Sequence, residues 1–225
     1  MNKTKVLRRL LFSASCLFIL TVSGCEPKVD LGAEVKTAAV PDSDASVEES
    51  TEIVDVPAAE KPSTPLTKIS DEAFRIAAHD GRIETVRNSI KSGKEVNAKD
   101  PTTSYTAMHM AAYNGHSNIV KLLLEHDAEV DCRDVEGKTP LIHACTGPFP
   151  QTVEILLAAG ADINAAETTE GFTPLMMAAG LGQTEVVKLL LSHDADATIQ
   201  DQDKDTALSH AKNSGHAEII ALLEK

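Results

Sequence analysis

The sequence predicts an all-α solenoid of stacked helix-turn-helix units joined by short finger loops, and three observations predict it. Threonines recur at Thr106, Thr139, Thr173 and Thr206, with separations of 33, 34 and 33 residues. Pairs of small residues and runs of aliphatic residues repeat in the same register. A constant period of this length is typical of stacked units, each too small to bury its apolar face alone.

Each threonine is the expected N-cap of a first helix, because its hydroxyl can accept a hydrogen bond from the first turn. In two units a proline follows directly, Pro140 and Pro174, at a position where a missing N–H costs nothing. Small pairs inside these helices should let neighbouring units pack closely. The pairs are Ala77-Ala78, Ala111-Ala112, Ala144-Cys145, Ala178-Ala179 and, in the last unit, Ala211 with Lys212.

Glycines at 81, 115, 182 and 215 follow the small pairs and should turn the chain into a second helix. Aliphatic runs at 119–124, 153–157 and 186–191 supply the buried face of that helix. Asp127 and Asp194 stand where Gly160 ends a second helix, so we expect them to be left-handed. In one unit Pro148 and Phe149 replace the usual turn, which predicts a stiff turn with an exposed ring.

The chain divides by composition into three segments. Residues 1–24 are the predicted signal peptide, 25–66 a lipidated Cys and a disordered acidic tether, and 67–225 the repeat domain. Five units are expected, with the first and last atypical because they face water. Their predicted bounds are 70–99, 100–133, 134–166, 167–200 and 201–225.

The first 25 residues indicate export. A basic stretch to Arg9 precedes a mainly apolar run of 13 residues, 10–22, which is too short to span a bilayer. The run closes with Val22-Ser23-Gly24-Cys25, which resembles the bacterial lipobox. That resemblance implies acylation at Cys25 and a membrane anchor, the alternative being a secretory signal with an incidental Cys. In lipoproteins of enteric-type bacteria an Asp after this Cys is the usual inner-membrane retention signal, so the resemblance, with Glu26 at that position, implies the outer membrane, facing the periplasm.

The predicted tether has ten acids, five prolines and no aromatic residue between residues 26 and 66. Such a stretch cannot bury enough apolar area to offset chain entropy. We therefore expect a flexible link between the anchor and the repeats.

The repeat units resemble the ankyrin family almost position by position, over about 155 residues. The resemblance implies stacked helix pairs and a partner protein bound on the concave surface, at the finger tips and the first helices. The residues that carry it are Thr139-Pro140-Leu141, Thr173-Pro174-Leu175, the segment 111–116 and the segment 157–164.

Binding residues can be assigned from these positions. The fingers offer Tyr105, Glu136, Lys138, Glu170, Phe172, Asp203 and Asp205. The first helices offer Met110, Tyr113, Asn114, Met177 and Leu181, and the unusual turn adds Phe149. Aromatic residues where the fold does not demand them are typical anchors of protein interfaces, although single exposed apolar residues also occur as ordinary scatter.

Charge and motifs narrow the function classes. The chain carries −13, and because the first 24 residues hold four bases and no acid, the remainder carries −17. This charge disfavours nucleic acid and predicts a basic rim on a protein partner. The acids are expected at solvent-facing positions rather than as a catalytic pair.

Hydrolase, metalloprotease, phosphate-loop and dinucleotide signatures do not occur in the sequence, so we predict no enzyme, no cofactor and no small-molecule substrate. No metal site is expected, because His109, His116 and His216 occupy structural positions of the family, while His126 and His193 lie two units apart. Cys132 and Cys145 are expected to be buried thiols, with a disulfide as the alternative.

The predicted function is a membrane-anchored protein-interaction module of the bacterial envelope. Some envelope ankyrin proteins resemble this arrangement as immunity or inhibitor proteins. The alternatives are an accessory factor for a periplasmic enzyme such as catalase, or a host-binding surface lipoprotein.

Overall fold

A computed structural model of the chain describes residues 69–225. The predicted signal peptide, the lipidated Cys25 and the tether lie outside the described residues. Within the described part, ten α-helices follow one another in pairs, and none is long and apolar enough to cross a membrane. The helices are α1 (Asp71–His79), α2 (Ile83–Lys91), α3 (Ala107–Tyr113), α4 (Ser117–Leu124), α5 (Pro140–Ala144), α6 (Pro150–Ala158), α7 (Pro174–Leu181), α8 (Thr184–Ser192), α9 (Ala207–Ser214) and α10 (Ala217–Leu223).

The first helices begin where the threonines predicted. The hydroxyl oxygens of Thr139 and Thr173 accept from the amides of Ile142 and Met176, and Thr106 and Thr206 cap α3 and α9 in the same way. Ser70 supplies the missing cap of the first unit. Each hydroxyl satisfies one of the orphan N–H groups of a helix start.

The turns between paired helices are left-handed at the predicted glycines. Gly81, Gly115, Gly182 and Gly215 have φ between 69° and 82°, a region that costs glycine little. Asp127 and Asp194 both have φ of 60°, which confirms the prediction that aspartate stands in for glycine after a second helix.

The core runs along the stack between neighbouring first helices and under the second helices. The small pairs are buried in the first four units, and in the fifth Ala211 is buried while Lys212 is exposed. Consecutive first helices are in contact along the stack, α1 with α3 and α7 with α9. Val120, Leu123 and Leu190 of the second helices are fully buried against them. The fold is therefore the all-α solenoid that the period predicted.

The fingers are the loops that lead into each following first helix, at residues 100–105, 134–138, 167–172 and 201–205. Backbone hydrogen bonds tie each finger to the next. The amide of Val135 donates to Thr103 O (3.1 Å), that of Thr168 to Glu136 O (2.9 Å) and that of Gln202 to Glu170 O (2.9 Å). These bonds hold the fingers in register beside the first helices. We call the fingers and the exposed face of the first helices the concave surface.

Candidate partner-binding surface

Each finger is closed by an acidic residue at its start. Asp134 Oδ1 accepts from the amides of Glu136 and Lys138, both at 2.9 Å. Glu167 accepts from the amides of Thr169 and Glu170 and from the Thr169 hydroxyl. Both acids are buried, so the expectation that the acids face solvent is wrong at these positions. The reason is that a tight loop leaves several N–H groups pointing inward, and a carboxylate can accept them all.

Asp134 and Asp201 also accept from a histidine of the following first helix. The Nε2–H of His143 donates to Asp134 Oδ2 (2.9 Å), and that of His210 donates to Asp201 Oδ2 (2.8 Å). Burial alone would raise the pKa of Asp134, but the hydrogen bond and positive charge of His143 outweigh it and hold that pKa below its usual value. These pairs lock the second and fourth fingers to α5 and α9.

Aromatic rings cover the same histidines. Tyr105 lies edge-on to His143, with 5.4 Å between ring centroids, and Phe172 lies edge-on to His210 at 4.9 Å. Tyr113 approaches His143 at 6.0 Å. Tyr105 and Phe172 come from the finger, and Tyr113 from the first helix, of the unit before the histidine, so these contacts also join neighbouring units.

His109 completes the cluster beneath Tyr105 and is neutral. Its Nδ1 accepts from the Thr106 amide (3.2 Å) and its Nε2–H donates to Lys138 O (3.2 Å). Burial, followed by the charge of neighbouring His143, lowers the pKa of His109 to about 4. The structural hydrogen-bonding role predicted for this histidine is confirmed.

The clusters repeat every two units. Tyr105, Asp134 and His143 each recur 67 residues later, as Phe172, Asp201 and His210. The second cluster has Gly180 at the position of Tyr113 and Met176 at that of His109. A sequence comparison at one period cannot show this double period, because alternate units differ in finger length and in the residue that faces the finger.

Exposure separates the predicted binding residues. Tyr113, at 37% exposure, and Asp203 are exposed. Nine others are half-buried: Tyr105, Met110, Asn114, Glu136, Lys138, Phe149, Glu170, Leu181 and Asp205. Lys138 Nζ lies 2.6 Å from Glu136 Oε2 in an ion pair. The binding role of these residues stays a prediction.

For two residues the prediction of an exposed binding side chain is wrong. Phe172 is 6% and Met177 2% exposed. Phe172 is covered because its ring packs on His210. Met177 belongs to α7, which packs closely against α9. Both stabilise the stack instead of presenting a side chain to a partner.

Phe149 also differs from expectation. Its ring is half-buried and lies on Gly115, where an added Cβ would stand 2.2 Å from Phe149 Cδ1. His116 covers Gly81 and His216 covers Gly182 in the same way. Phe149 is therefore the apolar counterpart of these histidines at the junction between units, and its ring is not freely displayed.

Two apolar anchors were not found from the sequence. Ile76 on α1 is 46% exposed and Val135 on the second finger is 55% exposed. Ile76 occupies the position of Met110 one unit earlier, so the repeat register could have indicated it. Val135 gave no signal, because the tip of a finger has no pattern of its own.

Both cysteines of the repeat domain are buried, free thiols. Burial raises the pKa of Cys132 to about 11 and raises that of Cys145 further. Thiols held protonated in this way are weak nucleophiles. In residues 69–225 no group of three His, Cys, Asp or Glu side chains has the arrangement of a metal site.

Stacked helix pairs, finger loops and interlocked junctions define a repeat solenoid. The family model for ankyrin repeats (3 copies) matches residues 74–167 and 147–225. The chain belongs to the ankyrin-repeat family.

Curated relatives share this repeat region. The chain is 34% identical over 130 residues to the ankyrin repeat and KH domain-containing protein mask-1 of Caenorhabditis elegans, which covers 57% of this chain and 5% of the relative. It is 35% identical over 128 residues to the human ankyrin repeat and SOCS box protein 6, covering 53% and 30%. It is 34% identical over 116 residues to the B-cell lymphoma 3 protein homolog of Mus musculus, covering 51% and 26%. The chain thus spans less than a third of the length of these relatives.

Proposed function

We propose that this protein is a lipid-anchored interaction module of the bacterial cell envelope that binds one partner protein on its concave surface. The observation that carries the proposal is the placement of the exposed large apolar side chains. Among residues 69–225 these are Ile76, Tyr113 and Val135, which lie on first helices or on a finger. Apolar side chains that the fold leaves in water at one surface mark interaction sites.

The lipid anchor is supported by the sequence around Cys25. A basic stretch, a short apolar run and the lipobox-like Val22 to Cys25 follow one another, and the acidic stretch behind them suits a tether. Two or more acyl chains hold a protein firmly on a membrane, whereas one anchors it marginally. In this proposal the repeats search a volume near the outer membrane on its periplasmic side.

The proposed role is inhibition or immunity, in which the module holds a partner and blocks it. A scaffold without a catalytic group of its own can act this way by covering a partner's working surface. An accessory role for a periplasmic enzyme such as catalase, or host binding at the cell surface, differs in the identity of the partner.

The test uses the full chain with a C-terminal tag, produced in its native cell. The membrane fraction is extracted in mild detergent at low and then at high salt, and stoichiometric partners are identified by mass spectrometry. The proposal predicts one partner, lost from a variant with Tyr113→Ser and Val135→Ser. If the variant kept that partner, the partner would not bind through the concave surface, and the proposal would be wrong.

The anchor has its own control in the same experiment. Cys25→Ser should move the protein from the detergent-extracted fraction to the aqueous fraction and keep its affinity for the purified partner. A Cys25→Ser protein that stays with the membrane would contradict acylation at this residue.

A further inference from the structure

The concave surface has two unlike halves. Ile76, Tyr113 and Val135, the exposed large apolar residues, all lie in the first three units. The positions that match Ile76 farther along the stack are Met110, His143, Met177 and His210. The last three of these are buried, so the row of side chains is open at its start and closed at its end.

The closed half has a physical cause. Phe172 packs its ring on His210, and both side chains are buried. The positions that match Val135 and Tyr113 in the fifth unit are the polar residues Gln202 and Asn213. The fifth unit therefore offers a partner little apolar surface on this side, and the fourth offers the half-buried Leu181.

Charge divides the same way. In the first finger the closing acid, Asp100, is paired with Arg75 (2.9 Å). In the second finger Glu136 is paired with Lys138 (2.6 Å), which leaves only the closing acid Asp134 as net charge. The tips of the third and fourth fingers hold Glu170, Asp203 and Asp205 against one base, Lys204. The acidic potential of the concave surface is thus concentrated on the last two units.

We infer that the partner presents one continuous segment with apolar side chains at one end and lysine or arginine at the other. The apolar end binds the first three units and the basic end binds the tips of the third and fourth fingers. This inference rests on the proposed function and gives the chemistry of its partner. Charge complementarity favours this occupant, because an acidic segment would repel the acidic tips and a neutral segment would leave them without a countercharge.

The spacing of the two ends follows from the stack. Packed helices lie about 8–10 Å apart, so about two and a half units separate the centre of the first three units from the centre of the third and fourth fingers, roughly 20–25 Å. An extended chain covers that distance in about 6–8 residues, and an α-helix in about 13–17 residues.

The probe is a displayed library of random 20-residue peptides, selected on the purified full chain in detergent. The strongest peptide is then synthesised and its affinity measured against variants at low and high salt. The apolar variant is Ile76→Ser with Val135→Ser, and the charge variant is Glu170→Gln with Asp203→Asn. The controls are Ala158→Ser with Ala159→Ser, and Glu125→Gln with Glu154→Gln, all at exposed positions on the second-helix side.

Selected peptides should share an apolar cluster and a basic cluster at one of the two separations. The apolar variant should weaken binding about tenfold or more. The charge variant should weaken it about threefold at low salt and reduce its salt dependence. Both controls should stay within about twofold, since exposed substitutions outside an interface have small effects.

The inference is overturned if no peptide is selected, if the peptides lack a separate basic cluster, or if the apolar variant binds like the controls. These outcomes differ from a failure of the proposed function. If a native partner depends on the concave surface but not on Ile76, the proposed function holds and only this inference fails. If no native partner depends on the concave surface, both the proposed function and this inference fail.

Discussion

At the scale of single residues, His109 shows how the fold fixes a protonation state. One ring nitrogen accepts the Thr106 amide and the other donates to Lys138 O, an arrangement that only the neutral imidazole can make. Burial acts in the same direction and lowers the pKa of His109 to about 4. The residue therefore joins a helix start to the next finger without carrying charge.

This lowered pKa predicts a pH dependence of stability. The unfolded chain takes up a proton at His109 below about pH 6.5, whereas the native chain does so only near pH 4. The contribution of His109 to the free energy of unfolding is therefore fully present above pH 6.5. As the pH falls towards 4, the free energy of unfolding falls by up to about 3 kcal/mol because of this residue. Urea unfolding of the wild type at pH 7, 5.5 and 4.5 measures it.

His109→Gln is the matched variant, because glutamine at this position of a capping box can still serve the N-cap amide. Its free energy of unfolding should change less between pH 7 and 4.5 than that of the wild type. Equal slopes for the two proteins would show that His109 is not the group that titrates.

Phe149 makes a second residue-scale prediction. Its ring covers Gly115 as His116 covers Gly81. Phe149→Ala removes this contact from a half-buried site and should lower the free energy of unfolding by about 2 kcal/mol. Phe149→His should cost less than half as much, because histidine already fills this place at two other junctions. Chemical denaturation of both variants measures these differences. A histidine variant as unstable as the alanine variant would show that Phe149 is not equivalent to His116 and His216.

At the scale of elements, local signals predicted the helices well and the fingers poorly. A threonine cap, a glycine turn and an aliphatic run act within a few residues, so Thr139, Gly182 and the run from Val186 could be assigned from the sequence. The burial of Phe172 depends on His210, which lies 38 residues farther along the chain. Contacts between units cannot be deduced from one period of the repeat. The repeat register could have indicated the exposed Ile76, whereas Val135 lies at a finger tip that has no pattern of its own.

The finger acids give the element-scale prediction. Asp134→Ala would leave the amides of Glu136 and Lys138 and the ring of His143 without their acceptor. Losing a buried, charged acceptor of this kind should destabilise the protein by about 3 kcal/mol or more. Hydrogen exchange of the second finger should become faster. Asp203→Ala, at an exposed tip, is the control and should change stability by less than about 0.5 kcal/mol.

If Asp134→Ala left both stability and exchange unchanged, the finger would be held by its backbone bonds to neighbouring fingers alone. Those bonds, such as Val135 N to Thr103 O, remain in the variant. The comparison therefore separates closure of one finger from stacking between fingers.

At the scale of the whole molecule, the solenoid divides its surface between two tasks. Its junctions use rings, caps and buried acids to join each unit to the next, and its concave surface keeps a few apolar side chains in water. Cooperative stacking makes the scaffold rigid, which reduces the entropy lost when a partner binds. The central claim is that this surface, and not the second-helix side, holds the partner.

Site-specific photo-crosslinking in the native cell tests that claim most directly. A photoreactive amino acid replaces Val135 on the second finger in one full-length protein and Glu154 on the second-helix side in another, both at exposed positions. The account predicts a crosslink to one partner protein from position 135 and none from position 154. A crosslink to a stoichiometric partner from position 154 with none from position 135 would contradict it.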